Sequence, residues 1–134
     1  MAGRGAARRN DQVTGTDTHI VLVPSASGTV PTPLQHPFSG RLSTSLSSNV
    51  KIDGQDAATE GSVAPNQPAH VPTPPGTSFQ KQPADRGTVS GGSSSVLING
   101  KKAARLGDPV RTCNDPFDSD AGRIVAGSTT VLIG

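Results

Sequence analysis

The sequence is poor in aromatic residues and cysteine. Among 134 residues there is no Trp or Tyr, and only three Phe. Such a chain lacks the row of aromatic rings on which the bases of single-stranded nucleic acid stack. The single cysteine, Cys113, excludes a disulfide within the chain. The longest apolar run, residues 20–23, is far shorter than the ~20 residues of a transmembrane helix, so no such helix is expected.

A concentrated charge of one sign is also missing. The formal net charge is +2, and only six of the twelve Lys and Arg residues are grouped, three within the first ten positions and three within residues 101–105. Because these residues form no continuous basic patch, we expect no nucleic-acid binding. The start of the chain, MAGRGAARRND, lacks the apolar stretch of a secretory signal peptide.

The chain is instead rich in Gly and Pro, 16 and 12 residues respectively. Low net charge argues against compositional disorder, and the apolar residues are clustered in short phrases typical of strands. No window has the 3.6-residue apolar period of a helix. The sequence therefore predicts an all-β fold in a single domain spanning residues 1–134, with a thin core, long ordered loops and a flexible segment at residues 1–12.

One phrase occurs three times, as SSNVKIDG at 47–54, SSSVLING at 93–100 and STTVLIG at 128–134. Each copy contains Val-x-Ile, which places two β-branched side chains on the same face of a strand. The first copy ends in Asp-Gly and the second in Asn-Gly, and both dipeptides favour a tight hairpin turn. A return strand follows, in which Ala57-Ala58 corresponds to Ala103-Ala104. The predicted core residues are Val50, Ile52, Val96, Ile98, Val131 and Ile133.

The three histidines and the cysteine are the candidate metal ligands. They are His19, His36, His70 and Cys113, separated by 17, 34 and 43 residues. Nitrogen and thiolate donors suit zinc, with iron as an alternative, and four protein ligands would close a structural site. A metal bound there would tie together loops that are otherwise hard to order.

Signatures of catalysis are missing from the sequence. There is no HExxH, no GxSxG elbow and no phosphate-binding loop, so we do not expect an enzyme. Two alternatives stay open. One is a small zinc enzyme, if one of the four ligands is free. The other is an adaptor whose proline-rich segment, residues 65–87, docks into partner grooves.

The pattern S-x-x-V-x-I-N-G-K-x-A-A-R-x-G-D at residues 93–108 resembles the repeat of PAAR proteins, with Lys102 at the position of the name-giving proline. The resemblance extends to ARRND at 7–11, the second repeat at 47–60 and the closing GSTTVLIG. It implies a small conical β-rich domain with pseudo-threefold repeats. A metal at its apex would be held by three histidines and a cysteine, here His19, His36, His70 and Cys113.

The same resemblance implies a structural role at the tip of a contractile injection system, either type VI secretion or an extracellular phage-tail-like particle. The base would cap a trimeric β-helical, VgrG-like spike, with one tip per trimer. The tip would contact the target membrane transiently and leave room for an effector docked noncovalently; we expect none fused to the chain. Such a protein is made in the bacterial cytoplasm, incorporated into the particle and delivered outside the cell.

Overall fold

A computed structural model describes residues 3–134, which contain strands and no helix. No helix in this part of the chain could therefore cross a membrane. The strands are β1 (Arg4–Gly5), β2 (Gln12–Ser25), β3 (Gly28–Arg41), β4 (Lys51–Ile52), β5 (Gln55–Asp56), β6 (Val63–Pro65), β7 (Ser78–Phe79), β8 (Arg86–Val89), β9 (Leu97–Ile98), β10 (Lys101–Lys102), β11 (Pro109–Thr112), β12 (Ser119–Ile124) and β13 (Leu132–Ile133). The all-β prediction is confirmed.

Seven strands form one antiparallel sheet in the order β3-β2-β12-β11-β8-β6, with β7 paired to β2. Its largest part is a hairpin of β2 and β3, paired continuously from Gln12 with Arg41 to Ser25 with Gly28. The longest apolar run of the sequence, residues 20–23, lies in β2, whereas no local pattern marks β3. Several prolines obscured the second strand, and β3 accommodates them because it lies at the end of the sheet order, where a missing N–H is tolerated.

The three sequence repeats form three separate two-stranded antiparallel sheets, which we call the repeat hairpins. In the second, Lys101 pairs with Ile98, and in the first, Gln55 pairs with Ile52. The third hairpin is formed by the two ends of the chain, because Arg4 of β1 pairs with Ile133 of β13. Residues from the start of the chain therefore complete the repeat that begins at its end.

The pairing of β1 with β13 involves part of residues 1–12, the segment that we expected to be flexible. Residues 1–2 lie outside the described part of the chain, whereas the residues after them take part in the fold. Ala6 and Ala7 are fully buried and occupy the positions of Ala103 and Ala104 in the second repeat. Composition concealed this role because the partner strand is more than 120 residues away in sequence.

Three buried alanines join the repeats through a closed ring of backbone hydrogen bonds. The N–H of Ala7 donates to the carbonyl of Ala104, that of Ala104 to Ala58, and that of Ala58 to Ala7, at 3.0, 3.1 and 2.9 Å. All three side chains are 0% exposed. Because each repeat donates once and accepts once, the ring has the connectivity of a threefold arrangement within a single chain.

A second ring is formed by the serine that opens each repeat. Each hydroxyl lies against the residue that follows Ile in another repeat: Ser47 contacts Asn99 Oδ1 at 2.5 Å, Ser93 contacts the Gly134 carbonyl at 2.6 Å and Ser128 contacts Asp53 Oδ2 at 2.6 Å. Each serine oxygen also accepts the backbone N–H of the valine three residues later. The serines therefore fix both the shape of their own repeat and its contact with the next.

In two of the repeats, the arginine that follows the paired alanines is held by the aspartate three residues later. Asp108 accepts the backbone N–H of Arg105 at 2.7 Å and both ends of its guanidinium fork at 3.1 and 2.9 Å. Arg8 and Asp11 repeat this arrangement near the start of the chain. In the remaining repeat the Ser62 hydroxyl accepts the N–H of Thr59, which preserves the turn without charge.

The predicted core residues are only partly buried. Ile52, Ile98 and Ile133 form a buried cluster with alanines of the return strands, and Val50 and Val96 pack against it. Val131 is 38% exposed. A larger cluster around Phe38, Leu42 and Ile124 lies under the main sheet. We call the end of the molecule formed by the three repeat hairpins the base.

Candidate metal centre

The centre is assembled by strands and loops that are distant in sequence. The hairpin contributes Asp17 and His19 from β2 and His36 from β3, where His36 pairs directly with Asp17. The long segment between β6 and β7 contributes His70, and Cys113 follows β11. Asp17 and His19 are two residues apart, so both side chains lie on one face of the strand.

Four buried side chains bring potential ligand atoms within 4.8 Å of one another; they are Asp17, His19, His70 and Cys113. Cys113 Sγ lies 3.7 Å from His19 Nε2. Zinc bonds to sulfur and nitrogen at tetrahedral angles would separate those two atoms by about 3.6 Å. His70 Nε2 lies 2.9 Å from Asp17 Oδ2. Since imidazole, thiolate and carboxylate are all zinc ligands, the cluster could hold a metal ion.

His36 lies beside this group. Its ring centroid is 5.4 Å from that of His19 and 5.6 Å from that of His70. Both ring nitrogens have backbone partners: Nδ1 is 3.0 Å from the Leu34 carbonyl, and Nε2 accepts the N–H of Thr73 at 3.1 Å. Three of the four predicted ligands are therefore brought together with Asp17, and the fourth adjoins them.

Burial favours the uncharged forms of two of the histidines and of the cysteine. Burial, and then the neighbouring His70, lowers the pKa of His19, and burial also lowers the pKa of His36. Burial raises the pKa of the Cys113 thiol to about 11, and the nearby Asp17 carboxylate acts in the same direction. Without a cation the imidazoles of His19 and His36 are therefore neutral at pH 7, and the Cys113 thiol is protonated. A bound divalent ion would favour the thiolate instead.

The surroundings of His19 fit a histidine that binds an ion through Nε2. His19 Nδ1 is buried and has no hydrogen-bond partner among residues 3–134, although Asp115 Oδ2 lies 3.6 Å away. Its other nitrogen faces the Cys113 sulfur at 3.7 Å. Buried polar atoms are rarely left unpaired in folded proteins. If Nε2 bound an ion, Nδ1 would carry the proton and direct it at the Asp115 carboxylate, the usual arrangement around a metal-bound histidine.

The segments around the ligands are fixed by polar contacts. Asn114 Oδ1 accepts the N–H of Thr18 at 2.7 Å, and Asp115 Oδ2 accepts the N–H of Ile20 at 2.9 Å. Both bonds hold the segment after Cys113 against β2. The carboxylate of Asp85 accepts the N–H of His70 at 2.8 Å. These contacts position the donors without a bound ion.

The proline-rich segment, residues 65–87, packs against its own domain. Val21 and Leu22 of β2 pair with β7 within this segment. Thr73 Oγ1 donates to the Gln35 carbonyl, and its N–H donates to His36. An apolar groove of about 290 Å³ lies between this segment and β3. The segment therefore forms one wall of the histidine cluster.

The stretch of the chain that matches a known family contains two of the sequence repeats and one of the candidate metal ligands. A family model described as PAAR motif matches residues 80–134, which contain two Val-x-Ile copies and Cys113. Comparison with curated proteins gave no match. The unmatched part of the chain supplies the remaining hairpin, at residues 51–56, and closes the same hydrogen-bonded ring through Ala7 and Ala58. The chain therefore contains a PAAR motif at residues 80–134.

Proposed function

We propose that this protein is the tip of a contractile injection system and that its base caps a trimeric spike. The observation that carries the proposal is the closed ring of Ala7, Ala58 and Ala104, in which one chain presents three equivalent hairpins. A single chain with threefold-like edges can meet each chain of a trimer in a similar way. The proposed stoichiometry is therefore one tip per spike trimer.

The base carries apolar side chains suited to such a contact. Leu97 and Leu132 occupy the same position in two repeats and are 61% and 58% exposed. Lys51 takes that position in the first repeat and pairs with Asp56 at 2.7 Å. Exposed apolar groups grouped on one surface are typical of protein interfaces. We infer that the spike protein covers these leucines.

We infer that the centre holds zinc, with iron as the alternative, and that His19, His36, His70 and Cys113 are its ligands. His36 would have to release the N–H of Thr73 to bind through Nε2. Structural zinc can contribute on the order of 10 kcal/mol of apparent binding free energy, comparable with the stability of a whole domain. A metal that closes four ligands leaves no position for a substrate, so the role is mechanical and the protein is not an enzyme.

The β2–β3 hairpin supports contact with the target membrane. Its pairing continues beyond His19 to the turn between Ser25 and Gly28. Residues 18–40 contain no Asp, Glu, Lys or Arg, and neither do residues 61–80 beside them. Each charged side chain at the centre of a bilayer costs about 2.5–3.5 kcal/mol on insertion scales. An uncharged leading end would enter a membrane at a lower free-energy cost.

This role also sets the proposed location of the protein. It would be assembled into the particle in the cytoplasm of the producing bacterium and expelled with the spike. An effector docked noncovalently would travel with it. The proline-rich adaptor function is less well supported, because residues 65–87 pair with β2 and contact His36 in their own domain.

The test is binding to a trimeric spike by the protein and two matched variants. Leu132→Asp places a charge on the base, and Val30→Asp places the same charge at an apolar residue of the β2–β3 hairpin that is 51% exposed. We expect the wild type and Val30→Asp to bind equally and Leu132→Asp to bind at least ~10-fold more weakly, since it leaves a charge in an apolar contact. Equal binding by Leu132→Asp would contradict the proposed interface.

A further inference from the structure

Asp17 is the most deeply buried acidic side chain in contact with the metal donors. It is 0% exposed. Its Oδ2 lies 2.9 Å from His70 Nε2 and 3.5 Å from Cys113 Sγ. Its Oδ1 accepts the Thr112 hydroxyl and, at 3.4 Å, the amide of Asn114. One oxygen is therefore held by the surrounding structure and the other faces the centre.

The charge of this carboxylate needs a partner. A buried carboxylate is costly unless it is paired or binds a metal. Within the described residues, no lysine or arginine pairs with Asp17, and the basic side chain in contact with it is His70, whose Nε2 lies 2.9 Å from Oδ2. A divalent cation at the centre would supply the positive charge that a buried carboxylate needs.

We propose that Asp17 belongs to the metal centre and supplies, together with Cys113, the two negative charges that balance a divalent cation. The histidines then contribute neutral donors, and the loaded site carries no net charge. This balance explains why a carboxylate lies among three histidines and a cysteine inside the fold. The inference rests on the proposed metal centre and adds a fifth residue to it.

Thr112 is the positioning residue for this carboxylate. It is 0% exposed, and its hydroxyl donates to Asp17 Oδ1, which leaves Oδ2 directed toward His70 and Cys113. Partners that orient metal-binding groups typically change metal affinity about 10–100-fold when they are lost. Replacing Thr112 with Val keeps the branched shape but removes the donor.

The test compares metal affinity in the full chain by competition with a chelator, using Zn²⁺ and then Co²⁺ as probes. Asp17→Asn keeps the shape but removes the charge, and exposed Asp118→Asn is the charge-matched control. We expect Asp17→Asn to lose about 10–100-fold in Zn²⁺ affinity. Its Co²⁺ ligand-field bands should shift while the sulfur charge-transfer band from Cys113 remains. Asp118→Asn should match the wild type.

Thr112→Val keeps the proposal testable if Asp17→Asn does not fold. We expect this variant to lose about tenfold in Zn²⁺ affinity, the low end of the range for an orienting partner, and to show a smaller shift of the same Co²⁺ bands. Wild-type affinity and wild-type spectra in the folded variants would overturn the role of Asp17 while leaving the metal centre intact. A wild-type protein that binds neither ion would overturn the metal centre itself.

Discussion

At the scale of single residues, Cys113 connects metal binding to pH. Its thiol has a pKa of about 11 without a cation, because it is buried and lies 3.5 Å from the Asp17 carboxylate. A metal binds the thiolate, so binding must displace the thiol proton. The lowered pKa values of His19 and His36 mean that those imidazoles release no proton at neutral pH.

We predict that zinc binding releases one proton from Cys113 between about pH 7.5 and 9, a window above the ordinary histidine range and below the pKa of this thiol. The apparent affinity should therefore rise about tenfold per pH unit. Calorimetry in buffers of different ionisation enthalpy measures the proton count. Cys113→Ser should lose the metal and the pH slope together. A binding constant that does not change across this window would argue against thiolate ligation.

The residue types made part of the centre predictable. His19, His70 and Cys113 stand out because the chain contains only three histidines and one cysteine. Asp17 does not stand out among ten acidic residues, and only its position two residues before His19 on a strand marks it. The backbone partners of His36 depend on Leu34 and on the distant Thr73, which no sequence spacing reveals.

At the scale of elements, the three hairpins are equivalent, and equivalent substitutions should have similar costs. Ser47, Ser93 and Ser128 are each at most 6% exposed and each accept the N–H of the valine that follows. Loss of one hydroxyl leaves that N–H without its acceptor, at a cost of about 1–3 kcal/mol.

We predict that Ser47→Ala, Ser93→Ala and Ser128→Ala each lower the free energy of unfolding by about 1–3 kcal/mol. Denaturant titration measures these values, with Ser94→Ala as the control because Ser94 is exposed. A cost at Ser128 far below the other two would show that the hairpin joining the chain ends contributes little to stability. Such a result would argue against threefold closure of the base.

Local sequence patterns predicted two of the three hairpins but only half of the third. Val-x-Ile and the turn dipeptides are short-range signals, and they located β4, β9 and β13. The pairing of β1 with β13 joins opposite ends of the chain, so no local pattern specifies it. The same holds for β3, which contains three prolines and is identified as a strand by its pairing with β2 along its whole length.

At the scale of the whole molecule, the chain has two ends of different character. The base combines the three repeat hairpins, exposed leucines and the ion pairs of Arg8 with Asp11 and of Arg105 with Asp108. The β2–β3 hairpin leads away from it through the metal centre into residues without charged side chains. The proposed function assigns the spike contact to the first of these ends and the membrane contact to the second.

The number of copies of this protein bound to a trimeric spike distinguishes a single cap from separate binding to each spike chain. Native mass spectrometry of the purified complex counts the chains. We predict one copy of this protein for three spike chains, because its own three hairpins already occupy the three equivalent positions. A complex with three copies per trimer, one on each spike chain, would contradict the account.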